Sequence, residues 1–177
     1  MVSYLEIFRT VAYGLGAIII VYVLAAFVLS RLFIPMLGYN QTKIPRKLPV
    51  GMMDKIRELE KKSRSQKEYL DNVWKFMTTK YHGKKREYLK HPSVLWWNLR
   101  YSWKKTGFLP CTMMVYITRI LLVRSRFFTE KDARAYTHFY GMALHQCVQI
   151  RVDGKWLFVD PWAHHLGYGI GRHLNYF

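Results

Sequence analysis

Three residues in this chain have the types, order and spacing that nucleophilic acyl chemistry needs. Cys111 follows Pro110 at the head of the apolar run 112–123, His145 comes 34 residues later, and Asp160 another 15 after that. A sulfur at a helix start sits among N–H groups that no helical turn satisfies, and these, with the helix dipole, favour a thiolate. A histidine that holds such a thiolate as an ion pair, and a carboxylate that fixes the ring's tautomer, complete a nucleophile, a base and an orienter. The chemistry expected is attack on an amide or ester carbonyl, with the backbone N–H of Cys111 as one oxyanion donor, and a thioester resolved by water or by an amine. A second oxyanion donor cannot be assigned from sequence, and Trp74, Trp96, Trp97 and Trp103 read more simply as packing aromatics.

Each of the three also has a plainer reading. A cysteine beside a buried helix is often a small core hydrophobe, a strand histidine can lie on the surface, and an aspartate before proline can simply cap a turn. What sets these readings aside is a downstream hairpin pattern. Residues 145–152 and 156–159 read as strands joined by the turn Asp153-Gly154, and Asp-Gly is a strong two-residue hairpin signal. The turn lies at nearly equal distance from His145 and Asp160, so the hairpin returns the carboxylate toward the histidine. Alternation sets His145, Cys147 and Gln149 on one face, and Gln146, Val148 and Ile150 on the other.

The stretch HQCVQIRVDGKWLFVDPW, from His145 to Trp162, resembles the histidine strand, turn and aspartate strand of the transglutaminase-like superfamily, whose fold is related to that of papain-like cysteine proteases. With Cys111, the resemblance runs over roughly residues 69–162. It implies an α+β fold in which a small antiparallel sheet packs on a central helix that bears the cysteine. It implies catalytic roles for Cys111, His145 and Asp160, a peptide or protein substrate, and peptidase, amidase or transglutaminase-like activity without a cofactor. A catalytically silent domain of the same fold, holding a peptide or protein partner at a membrane, is the alternative. A zinc site built from His145, Cys147, His164 and His165, with Cys111 as a further ligand, fits no common ligand spacing, and no metal is expected.

The elements that must position these residues are legible in part. The first is not part of the folded domain: 11–29 holds no charged residue, and as a helix it would be about 28 Å long, close to the thickness of a bilayer's hydrocarbon core. It lacks a small-residue cleavage site, so an uncleaved anchor is expected over 1–33, a linker over 34–51 and the domain over 52–177. A helix over 52–62 uses Met52, Met53, Ile56 and Leu59. Another starts at Ser65, where Ser65 and Glu68 have capping-box spacing, and runs through Tyr69, Leu70, Val73, Trp74, Met77 and Tyr81. A solvated loop over 84–90, a helix over 93–103 and a turn over 106–110 then lead to Cys111. The helix that follows is apolar almost all round, the mark of a buried element. A first strand over 136–144 and an irregular, Gly-rich tail, with His164, His165 and His173 as polar residues, complete the reading.

Charge and cysteine content bound the surroundings. Lysine and arginine number 28 against 11 acidic residues, a formal net charge of +17, and Glu6 and Arg9 cancel ahead of the apolar run. The excess of Arg31, Lys43, Arg46 and Lys47 after that run points to a single-pass membrane protein with its C-terminal domain in the cytoplasm. Two cysteines cannot form a disulfide framework and are expected as thiols there. The basic residues between Lys43 and Lys105 suit an anionic lipid surface. Nucleic acid is the rival partner, with the aromatics of 96–103 as stacking platforms, but no zinc-finger or single-strand-binding signature accompanies them.

Overall fold

The apolar run at the start of the chain forms α1 (Tyr4–Leu24), no residue of which is buried. Its 21 residues have a mean hydropathy of 2.0, and at 1.5 Å per residue it is about 31 Å long. It is one helix long and apolar enough to cross a membrane. The computed structural model of the protein describes residues 4–25, 43–84, 87–91, 97–140 and 143–174. The end of the expected apolar run, the first half of the linker and residues 92–96 lie outside them.

The remainder is a mixed helix and sheet domain. α2 (Met52–Lys61) buries Met52, Ile56 and Leu59, and α3 (Gln66–Lys80) buries Tyr69, Leu70, Val73 and Met77, as the helical spacing predicts. Ser65 caps α3 by accepting from the Glu68 N–H, while Glu68 reaches back to the N–H of Arg64 rather than of Ser65. The stretch read as a linker packs on the domain from Lys43 onward. Ile44 is buried, Tyr116 donates to the Lys43 carbonyl and Arg124 to the Pro45 carbonyl.

Three expectations need correcting. The basic loop over 84–90 contains a helical turn, α4 (Glu87–Lys90), with Lys90 paired to Glu87. Of the helix expected over 93–103, residues 93–96 lie outside the described residues, and 97 and 98 are not helical. α5 (Leu99–Lys104) starts after Asn98, whose backbone is extended and whose side chain caps it by accepting from the Tyr101 N–H. The turn before Cys111 includes a strand, β2 (Gly107–Phe108), paired in parallel with β1 (Tyr81–His82). Two-residue strands carry no periodicity, so no pattern announced them.

α6 (Cys111–Val123) is the centre of the domain and is buried along all but Arg119 and Val123. It packs against α3, α5 and the three-stranded antiparallel sheet β3 (Ala133–Tyr140), β4 (Ala143–Val152) and β5 (Lys155–Val159), in the order β3-β4-β5. Asp153 and Gly154 make the predicted turn with φ of 48° and 79°, the left-handed pair a tight hairpin requires. The first hairpin closes earlier than expected, with Tyr140 opposite Ala143. Residues 145–150 are all buried, so β4 is covered on both faces. Nor is the tail irregular: Pro161–Leu166 form a 3-10 helix, and the chain then returns to the sheet, where the Gly171 N–H donates to the Phe158 carbonyl and Leu174 is buried.

Candidate active site

Cys111 is the first residue of α6. Pro110 precedes it with φ −65° and ψ 152°, and no side chain caps the helix. Proline's fixed φ suits this entry, and its missing N–H leaves no donor to satisfy at that point. β2 aims the approach, because the Leu109 N–H donates to the His82 carbonyl at 3.1 Å and holds the strand end two residues before the sulfur. Cys111 itself is 6% exposed, nearly enclosed where α6 begins.

His145 and Asp160 come from the second hairpin. Val148 pairs with Val159, so one residue further along the ladder Asp160 stands across from Cys147. Side chains alternate, so Cys147, His145 and the residue opposite Cys147 share a face. The outcome is direct: His145 Nε2 donates to Asp160 Oδ2 at 2.7 Å, with both side chains buried. Cys111 is near enough to this histidine to act on the imidazole's charge, and with Nε2 turned to Asp160 the ring's other nitrogen is Nδ1. The structure therefore puts His145 and Asp160 in direct contact and brings Cys111 into their neighbourhood.

Asp160 does two jobs. Its Oδ1 accepts from the Ala163 N–H at 3.2 Å and so caps the 3-10 helix, while Oδ2 takes the imidazole and, at 3.5 Å, the Leu174 N–H. The turn cap and the contact to the imidazole coexist, one on each oxygen. Three donors on a buried carboxylate are what make burying its charge tolerable.

The electrostatics of the imidazole follow from these neighbours. Burial alone would push its pKa down, but the Asp160 charge, the bond to Asp160 and the nearby Cys111 sulfur together outweigh burial and raise it well above the usual histidine value. Cys147, by contrast, is fully enclosed. Burial first, then the charges of Asp160 and Cys111, push its thiol pKa far up. The two cysteines are thus unlike: one acts on the charge of an imidazole, the other is enclosed in the core and so inert.

No family model, curated protein or solved structure matches this chain.

The geometry itself supplies what spacing did not. Trp162 packs its ring 5.1 Å from that of His145 and is buried, shielding the histidine and carboxylate from water. It lies inside the motif, two residues past Asp160, yet an aromatic at that place reads as ordinary packing. Gly83 is what admits it: a Cβ there would lie 2.2 Å from the indole. His138 was also missed. It stands directly across the ladder from His145, ring edge to ring face at 5.3 Å, and donates from Nε2 to the Leu174 carbonyl at 2.5 Å. The misplaced first turn hid that pairing.

His164 and His165 do not join the site. Both are exposed, His164 against Trp74 and His165 bonded to the Trp162 carbonyl, and among the described residues no cluster of histidine, cysteine and carboxylate could hold a metal ion. Of the aromatics read as stacking platforms, Trp96 lies outside the described residues and Tyr101 is half exposed, while the other two are covered. Trp97 and Trp103 are buried beneath Lys105 and Lys80, whose ammonium groups lie 3.8 and 4.2 Å from the ring centres.

Proposed function

We propose that this chain is a membrane-anchored, cysteine-dependent amide hydrolase or acyl transferase of transglutaminase-like or papain-like type. The observation that carries the reading is the buried His145–Asp160 pair, bonded through Nε2 at 2.7 Å, with Cys111 at the start of α6 near enough to act on the imidazole's charge. In this mechanism the Cys111 sulfur attacks the carbonyl carbon of a peptide or protein substrate, and the oxyanion that forms takes a hydrogen bond from the Cys111 backbone N–H. The imidazolium of His145 gives its proton to the departing amine, which leaves a thioester. Water or an acceptor amine then attacks the thioester, His145 takes a proton from it, and sulfur departs as the thiolate. Asp160 holds the ring in register throughout and keeps its proton on Nε2. These steps use side chains and backbone alone, with no cofactor.

The anchor is α1, a single span that leaves the domain on the cytoplasmic side, where reduced thiols persist and the net positive charge meets anionic lipid. A second reading is favoured by one observation, the near-complete enclosure of Cys111: a silent domain of the same fold that holds a peptide or protein partner at the membrane.

A thiol-directed electrophile followed by peptide mapping separates the two. Fast modification of Cys111, slow modification of Cys147, and loss of the fast reaction in a folded His145→Ala or His145→Gln variant is the expected result. Equal, slow modification of both thiols in the unaltered chain would overturn the enzyme reading.

A further inference from the structure

The segment between the apolar helix and α2 ends in a surface that the acyl chemistry does not use. From Lys43 to Val50 it is pinned along the domain by the bonds from Tyr116 and Arg124, and by a third from Trp103 Nε1 to the Val50 carbonyl at 3.2 Å. Pinned backbone here presents apolar side chains outward: Val50 is 88% exposed and Met53, just beyond, 36%. α5 borders the same groove, of about 610 Å³, and adds Tyr101, 50% exposed.

Cations frame these apolar tips. Lys47 and Arg100 line the groove, and Lys104 is exposed one helical turn beyond Arg100. Within 43–55 and 97–106 the single acidic residue is Asp54, and none of the three cations forms a salt bridge among the described residues. An apolar and aromatic tip rimmed by unpaired lysine and arginine is the composition that sits at a lipid headgroup boundary. Position agrees with composition. Residues 26–42, which join α1 to this segment, span at most about 60 Å when fully extended.

We infer that the face formed by residues 45–53 and α5 docks on the anionic surface of the phospholipid bilayer that holds α1, with Val50, Met53 and Tyr101 entering the headgroup layer and Lys47, Arg100 and Lys104 meeting lipid phosphates. The inference rests on the membrane-anchored reading above and names the surface through which the domain meets the membrane. Each cation near such a surface adds to the attraction.

The test uses the full chain in lipid nanodiscs, either phosphatidylcholine alone or phosphatidylcholine mixed with phosphatidylglycerol. A cysteine is introduced by Val50→Cys, or by Lys155→Cys at the hairpin far along the sequence as a reference, and its labelling by a membrane-impermeant maleimide is followed by peptide mapping. Labelling at position 50 is expected to be several-fold slower in the anionic discs, with the difference removed by high salt or by Lys47→Glu with Arg100→Glu. Labelling at position 155 is expected to be the same in both discs. Equal labelling at position 50 in the two discs, fast or slow, overturns the docking face while leaving the anchor intact. Failure of the chain to remain in either disc overturns the anchored reading and the docking face with it.

Discussion

His138 sits directly across the β3–β4 ladder from His145, and its ring edge meets the face of the imidazole with centroids 5.3 Å apart. Burial, then the charge of His145, lowers the His138 pKa, so this second ring stays neutral beside a charged one and spends its Nε2–H on the Leu174 carbonyl. The Leu174 N–H in turn reaches Asp160. His138 thereby props the carboxylate side of the site without touching the sulfur.

A folded-state pKa depressed below the unfolded value means that the neutral ring stabilises the fold at higher pH. That contribution is lost as pH falls through the depressed value. The melting temperature is expected to drop on acidification below about pH 6. In His138→Phe the acid-side slope should become shallower, and a pH series of thermal unfolding curves checks this. An unchanged slope would mean that other groups, among them His82, His91 and His173 with pKa values also lowered, carry the whole effect.

His145 works in the opposite sense. Its folded pKa is raised, so its stabilising contribution is complete below the unfolded value near 6.5 and disappears as pH climbs through the raised one. Thermal unfolding between neutral and alkaline pH should therefore show a decline that His145→Gln flattens.

Asp160→Asn and Asp160→Ala should part company. Asparagine keeps an oxygen for the Ala163 N–H and so retains the cap, but loses the charge that holds His145. Alanine loses both and strands a buried imidazole, a loss of about 3–5 kcal/mol in stability. Both variants are expected to slow Cys111 modification, and only the alanine variant to unfold easily in denaturant. If the two lose the same stability, the cap contributes nothing.

Gly83→Ala is predicted to disturb the site at a distance. The added methyl would meet the Trp162 ring at 2.2 Å, so the indole must shift off His145, at a cost of about 1–3 kcal/mol. Slower Cys111 modification together with a lower melting point is the expected pair of outcomes. A Trp162→Phe variant, smaller and free to share the space, should restore part of both when combined with it.

How far the chain could be read before its fold was known varies with the range of the interaction. α2, α3 and α6 follow from helical spacing, the Ser65 cap from its own side chain, and the β4–β5 turn from Asp153-Gly154, because each depends on neighbours within a few residues. The meeting of His145 with Asp160 was readable for the same reason, since a tight turn fixes the register of everything it joins. β1 with β2, the true start of α5 and the structured tail were not readable, for they are held by partners far off in the chain: Leu109 by His82, Trp103 with Val50, Gly171 with Phe158.

By itself the sequence determined the apolar helix, the excess of positive charge, the buried helix behind Cys111 and the hairpin that pairs a histidine with an aspartate, all of them properties of local pattern and composition. Only the tertiary structure decided that the cysteine approaches that histidine, that Trp162 fits over it because residue 83 has no side chain, and that Asp160 divides its two oxygens between a cap and a base. The approach of Cys111 to His145 and of Trp162 to Gly83 joins segments dozens of residues apart, and the division of Asp160's oxygens depends on how those segments pack, so what selects them is packing and the pairing of buried polar groups, which no window along the chain contains.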